Sequence, residues 1–152
     1  MGYFYFPKAE NLRKLTLEEV SEIEVGIANL KGKLPWGIED PNDFEFYEDS
    51  GMTLDNGIMG YTKFFGNRIL LSSDIVSALK WKDTNGIPNN EMAMGIVVHE
   101  LTHCNQMKWV FGLAWLILNI PIIDFFIEKW AKQNEQVATQ SLLDTYDQLR
   151  NN

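Results

Sequence analysis

One cysteine and two histidines, Cys104, His99 and His103, are all the thiol and imidazole this 152-residue chain possesses. A lone thiol excludes an intramolecular disulfide and any multi-thiolate metal centre, and it suits a reducing compartment. Basic residues are also scarce: 13 Lys and Arg face 21 Asp and Glu, a net charge of −8, with no basic cluster. A phosphate backbone repels such a surface, so nucleic acid is not an expected partner. The N-terminus, Met1 to Pro7, has neither a basic n-region nor a long apolar h-region, so no signal peptide is read and a cytoplasmic location is expected, with virion association compatible. No internal repeat or low-complexity tract occurs. A transmembrane run is missing too: the longest uncharged stretch is residues 109–123, and Asn119 and Pro121 interrupt it. A spanning helix needs about 20 apolar residues. This stretch is expected to pack in the core; its alternative use is an exposed patch for a protein partner or a membrane surface.

What remains is ordinary globular composition, 45% apolar and 22% charged, which fits a single domain over residues 1–152. Thr16 precedes Glu19 by three residues in the manner of a capping box. Leu17, Val20, Ile23, Ile27 and Leu30 then recur at helical spacing, leaving Glu18, Glu19, Glu22 and Glu24 for solvent, and Gly32 and Pro35 end the helix. Trp36 to Asn42 reads as a loop. Around Phe44 and Phe46 the alternation changes to that of strands. Asp55-Asn56-Gly57 predicts a hairpin between Met52–Leu54 and Ile58–Tyr61, and Gly66-Asn67 a second turn before Arg68–Leu71. Three or four short antiparallel strands follow from these turns. A short helix over Ser73–Lys80, a loop over Asp83–Asn90, a helix capped by Asn90 and running to about Lys108, and a last helix from about Asp124 to Leu149 complete an α+β pattern.

The chemistry lies in His99-Glu100-Leu101-Thr102-His103. Residues four apart stack on one helical face, so two imidazoles can share a tetrahedral metal. Glu100, about 100° around the helix from His99, flanks the open position, where a carboxylate can take a proton from activated water. Because both histidines are used, the third protein ligand cannot be histidine. Cys104 projects off the metal face and is expected in the core. Asp124, Glu128, Glu135, Asp144 and Asp147 all lie on the last helix; Glu128 and Glu135 are seven apart and share a face, so helical geometry does not separate them.

The string His99-Glu100-Leu101-Thr102-His103-Cys104-Asn105-Gln106, followed after an apolar stretch by Asn134-Glu135-Gln136-Val137-Ala138, resembles the gluzincin metallopeptidases, and most of all their minimal phage and bacterial members. The resemblance spans about residues 69–138. It implies a zincin-like fold, a Zn2+ ion held by His99, His103 and Glu135, and Glu100 as catalytic base. It also implies that Arg68–Ser72 is the strand beside the cleft that pairs with extended substrate, and that small Ala138 lets the two helices approach. Gluzincins often place a Tyr or His opposite the metal, which makes Tyr146 a candidate oxyanion donor, against a plain packing role. The function so implied is zinc-dependent hydrolysis of a peptide or protein substrate, as an endopeptidase. The competing expectation is a non-enzymatic assembly or virion-associated protein with a structural zinc site.

Overall fold

The computed structural model describes residues 7–52, 60–62, 67–109 and 121–152. Among these residues it is an α+β arrangement of four strands, β1 (Leu12–Lys14), β2 (Glu45–Asp49), β3 (Gly60–Thr62) and β4 (Arg68–Ser72), and four α-helices, α1 (Leu17–Asn29), α2 (Ser73–Leu79), α3 (Glu91–Trp109) and α4 (Pro121–Arg150). Two short 3-10 turns, Ala9–Asn11 and Pro41–Asp43, precede β1 and β2.

Helix α1 begins as its sequence dictates. Thr16 accepts from the Glu19 N–H, and the Glu19 carboxylate accepts from the Thr16 N–H, closing the capping box. Two expectations fail in the same turn. Leu17 is 90% exposed, because it occupies the first helical position, outside the face that meets the core. Glu19 is only 1% exposed: Arg13 from β1 donates to both its oxygens, and Lys80 beyond α2 adds an ion pair at 3.1 Å. Ile23, Gly26 and Leu30 continue the buried face. A Cβ at Gly26 would lie 2.5 Å from the Met94 methyl, so glycine here lets α1 lie directly on α3. The chain turns away after Leu30 through Gly32, whose φ of +77° favours glycine.

The sheet order is β1-β2-β4-β3. β1–β2 and β3–β4 are antiparallel, but β2–β4 is parallel, with Phe46 opposite Ile69 and Glu48 opposite Leu71. The sheet is therefore mixed, where turn signals alone suggested antiparallel strands. A turn residue announces only the pairing of strands it joins; β2 and β4 meet across intervening chain. β4 is the inner strand, with Ile69, Leu70, Leu71 and Ser72 all buried, as a strand covered on both faces should be. Paired on both sides, it offers no free edge to a substrate; among the described residues the outer strand on that side is β3. The Asp55-Asn56-Gly57 hairpin, Gly66, and residues 110–120 of the apolar stretch lie outside the described residues.

Ser72 ends β4 and caps α2 by accepting from the Ile75 N–H. α3 is the central helix, with Ala93, Met94, Ile96, Val97, Val98, Leu101 and Cys104 buried. These side chains join Ile23 of α1 and Leu30 just after it, Phe46, Ile69 and Leu71 of the sheet, Val76 and Leu79 of α2, and Ala138 and Leu142 of α4 in one core. Among the described residues no helix is long and apolar enough to cross a membrane.

Candidate metal centre

His99 and His103 fall on the face of α3 that meets α4. Their Nε2 atoms approach to 3.1 Å, with the rings edge to face. Glu128, on the second turn of α4, closes the group: Oε2 lies 3.3 Å from His99 Nε2, and Oε1 3.0 Å from His103 Nε2. The ligating atoms of these three residues all lie within 4.8 Å of one another, close enough to hold one metal ion. Bonds of about 2.0–2.1 Å at tetrahedral angles put neighbouring ligand atoms about 3.3 Å apart. The donor set is right as well, since two imidazoles and a carboxylate suit zinc and related divalent ions.

Glu135 is placed differently. Its Oε1 accepts from His99 Nδ1 at 2.9 Å, on the side of the ring away from His103, and its Oε2 pairs with Lys132 at 3.0 Å. The structure thus brings Glu128 to the nitrogens that converge and gives Glu135 the outer nitrogen of one of them. Both acids share a helical face, as the sequence indicated; the register of α4 against α3 distinguishes them.

That register has identifiable causes. A Cβ at Gly95 would sit 2.3 Å from Thr139 Oγ1 and 3.1 Å from the Glu135 carbonyl, so the bare backbone of α3 lies against α4 one turn before His99. Ala131 and Ala138 are fully buried along the same seam. Asn134, also fully buried, donates to Thr102 Oγ1 and to the Trp36 carbonyl, and accepts from the Trp36 N–H, each at 2.9 Å. Farther along that loop, the Glu39 N–H reaches the Leu101 carbonyl, and Asn105 donates to the Glu39 carboxylate. The loop after α1 therefore fastens both helices beside the centre.

Electrostatics follow from this geometry. Burial disfavours a charged His99, but hydrogen bonds to Glu128 and Glu135 and the charge of Glu100 outweigh it, raising the imidazole to about 10. Burial likewise acts against Glu128 and Glu135, and hydrogen bonds from the histidines and, for Glu135, Lys132 hold both carboxyls below their ordinary range. Glu100 is itself buried. Glu128 is the open side of the group, its side chain 44% exposed against 8% for His103.

Tyr146 is not brought to the centre. Its hydroxyl donates to Asn90 at 2.7 Å, and Asn90 precedes α3, about 13 Å along the helix from His99. Burial, with the charges of Glu91 and Glu22, pushes this phenol up to about 12. Its observed role is packing and bracing. Asn90 occupies the expected cap position and its carbonyl accepts from the Met94 N–H, but its side chain serves Tyr146 and the Leu79 carbonyl. Sequence reasoning assigned no role to Gln106 or Asn134, though both stand within the quoted strings. No protein-family model, curated protein or solved structure matches the chain.

Proposed function

We propose that the protein is a metal-dependent hydrolase, with zinc as the metal and a peptide bond as the target, in the manner of the gluzincins that its His-Glu-x-x-His string resembles. The observation that carries this reading is the convergence of His99 Nε2, His103 Nε2 and the two oxygens of the Glu128 carboxylate at 3.0–3.3 Å, beside a buried Glu100 that follows His99 directly. Three protein ligands with one side open to solvent is the pattern of a catalytic rather than a closed structural site.

A bound divalent ion would acidify water and polarise a carbonyl. The rest falls to this chain's own residues. His99 and His103 hold the ion from α3, and Glu128 holds it from α4. Glu100 accepts a proton from the attacking water and returns it to the leaving amine. The zincin-like assignment of the fold and the endopeptidase activity both rest on the motif and belong to this proposal.

The test is metal content together with cleavage of a broad peptide library. About one zinc per chain is expected, lost in His99→Ala and in His103→Ala. Glu100→Gln should keep the metal and lose hydrolysis. A wild type that takes up no divalent ion sinks the reading, and so does a Glu100→Gln variant of undiminished activity. Full zinc loading with no cleavage of any substrate would point instead to a structural zinc site in an assembly protein.

A further inference from the structure

Resting on the metal reading above, we propose that Glu135 and Gln106 are positioning residues, which hold His99 and His103 in the one tautomer that aims both Nε2 lone pairs at the ion. A neutral imidazole carries its proton on either ring nitrogen, and the partner of one nitrogen decides what the other can do. His99 Nδ1 faces a carboxylate oxygen of Glu135 at 2.9 Å, and a carboxylate only accepts, so the proton sits on Nδ1.

His103 is fixed less directly. The Gln106 amide nitrogen donates to the Ile127 carbonyl at 3.2 Å, so its oxygen is the atom turned to His103 Nδ1 at 2.9 Å. That oxygen also accepts, and the His103 proton also goes to Nδ1. Both Nε2 atoms then present lone pairs 3.1 Å apart, facing a third acceptor, Glu128. In this neutral tautomer three acceptors are directed at one point, which a cation between them reconciles, as a proton on one imidazole does when no ion is bound.

Both arms come from α4. Glu135 reaches His99 with its own side chain. Ile127, the residue before Glu128, reaches His103 through Gln106. The two imidazoles are therefore oriented by the helix that supplies the third ligand, and they are unequal. His99, backed by a negative charge, is the stronger donor, and His103, backed by a neutral amide, the weaker.

The experiment uses the full chain and two probes, Zn2+ by competitive chelator titration and Co2+ by its visible absorption spectrum. Outer-sphere partners of metal-bound histidines typically contribute 10–100-fold in affinity. Glu135→Leu and Gln106→Leu should each weaken Zn2+ binding by that order, with the larger loss at Glu135. Both should keep the wild-type Co2+ spectrum, because the ligand atoms are unchanged. Glu135→Gln retains an accepting oxygen and should recover most of the affinity. If Glu135→Leu does not fold, the Glu135→Gln and Gln106→Leu pair carries the same comparison. A Co2+ spectrum in either Glu135 variant that shows fewer protein ligands would make Glu135 a ligand and overturn the assignment. Zn2+ affinities within twofold of wild type in the Leu variants would overturn it as well. Failure of the wild type to bind either ion removes the metal reading and this assignment together, and that outcome is distinct from the other two.

Discussion

Gly95 shows how much of the centre depends on one missing side chain. It lies one turn before His99, where a Cβ would meet Thr139 Oγ1 at 2.3 Å and the Glu135 carbonyl at 3.1 Å. Gly95→Ala must therefore push α4 outward at the residue that orients His99. The expected cost is about 1–3 kcal/mol of stability, measured by urea unfolding, with weaker zinc binding in the same variant. Adding Thr139→Ala should restore part of both, since it removes the nearer contact and leaves the carbonyl. A Gly95→Ala protein as stable and as tightly metallated as wild type would contradict the close helix approach. The same seam explains what the sequence could not show about the ligands. The spacing of His99, Glu100 and His103 is local, set by 3.6 residues per turn, and was legible. The choice between Glu128 and Glu135 was not, because both share a face of α4. It depends on where Gly95, Thr102 and Asn134 stop one helix against the other. The motif resemblance selected Glu135, whereas the geometry brings Glu128 to the converging nitrogens.

Among the elements, the junction of β1, α1 and α2 gathers its charges around Glu19. Burial pushes that carboxyl upward, but hydrogen bonds from Arg13, the Thr16 N–H and Lys80 prevail and hold it at about 2, below its ordinary 4.5. A carboxylate with a depressed folded-state pKa stabilises the fold fully above its unfolded value. That contribution is lost as pH falls through the folded one. Stability should thus decline between about pH 4.5 and pH 2 by about 1–2 kcal/mol more in wild type than in Glu19→Gln, once solvent screening of half-exposed Arg13 and Lys80 is allowed for. Chemical denaturation across that range checks it, and parallel curves for the two proteins would refute it. The elements themselves were legible to differing degrees. The helices follow from caps and apolar periodicity, and α1 and α3 begin at the residue after their named capping positions, Thr16 and Asn90. α4 begins earlier than the charged residues suggested, at Pro121, where the first helical position tolerates proline. The parallel β2–β4 pair left no local trace, since nothing in either strand names its partner.

At the scale of the whole molecule, α4, 30 residues, is the longest element among the described residues; besides the Asn134–Thr102 hydrogen bond at its middle, it is fastened to α3 or its approach near its two ends. One is the Glu128–His99–His103 group. The other is built from Tyr146, which donates to Asn90, and Arg150, which pairs with Asp83 at 3.1 Å and donates to the Pro88 carbonyl. Glu128 and Tyr146 are 18 residues apart, about 27 Å of helix. The second attachment consists of ordinary protein groups and is independent of any ion. The first joins two imidazoles and a carboxylate that only a cation or a proton can reconcile. The molecule resembles a clasp with one permanent end and one removable end. Withdrawing the metal should accordingly not loosen α4 evenly. Amide hydrogen exchange followed with and without a chelator should show protection falling over residues 125–131, before the Asn134 attachment, and holding over 140–150, a gradient along a single helix. Uniform loss of protection along α4 would mean that the far attachment does not hold by itself. With the predicted gradient, metal supply becomes a mechanical input, one that decides whether the first turns of a long helix are seated or loose while the rest of the fold stays as it was.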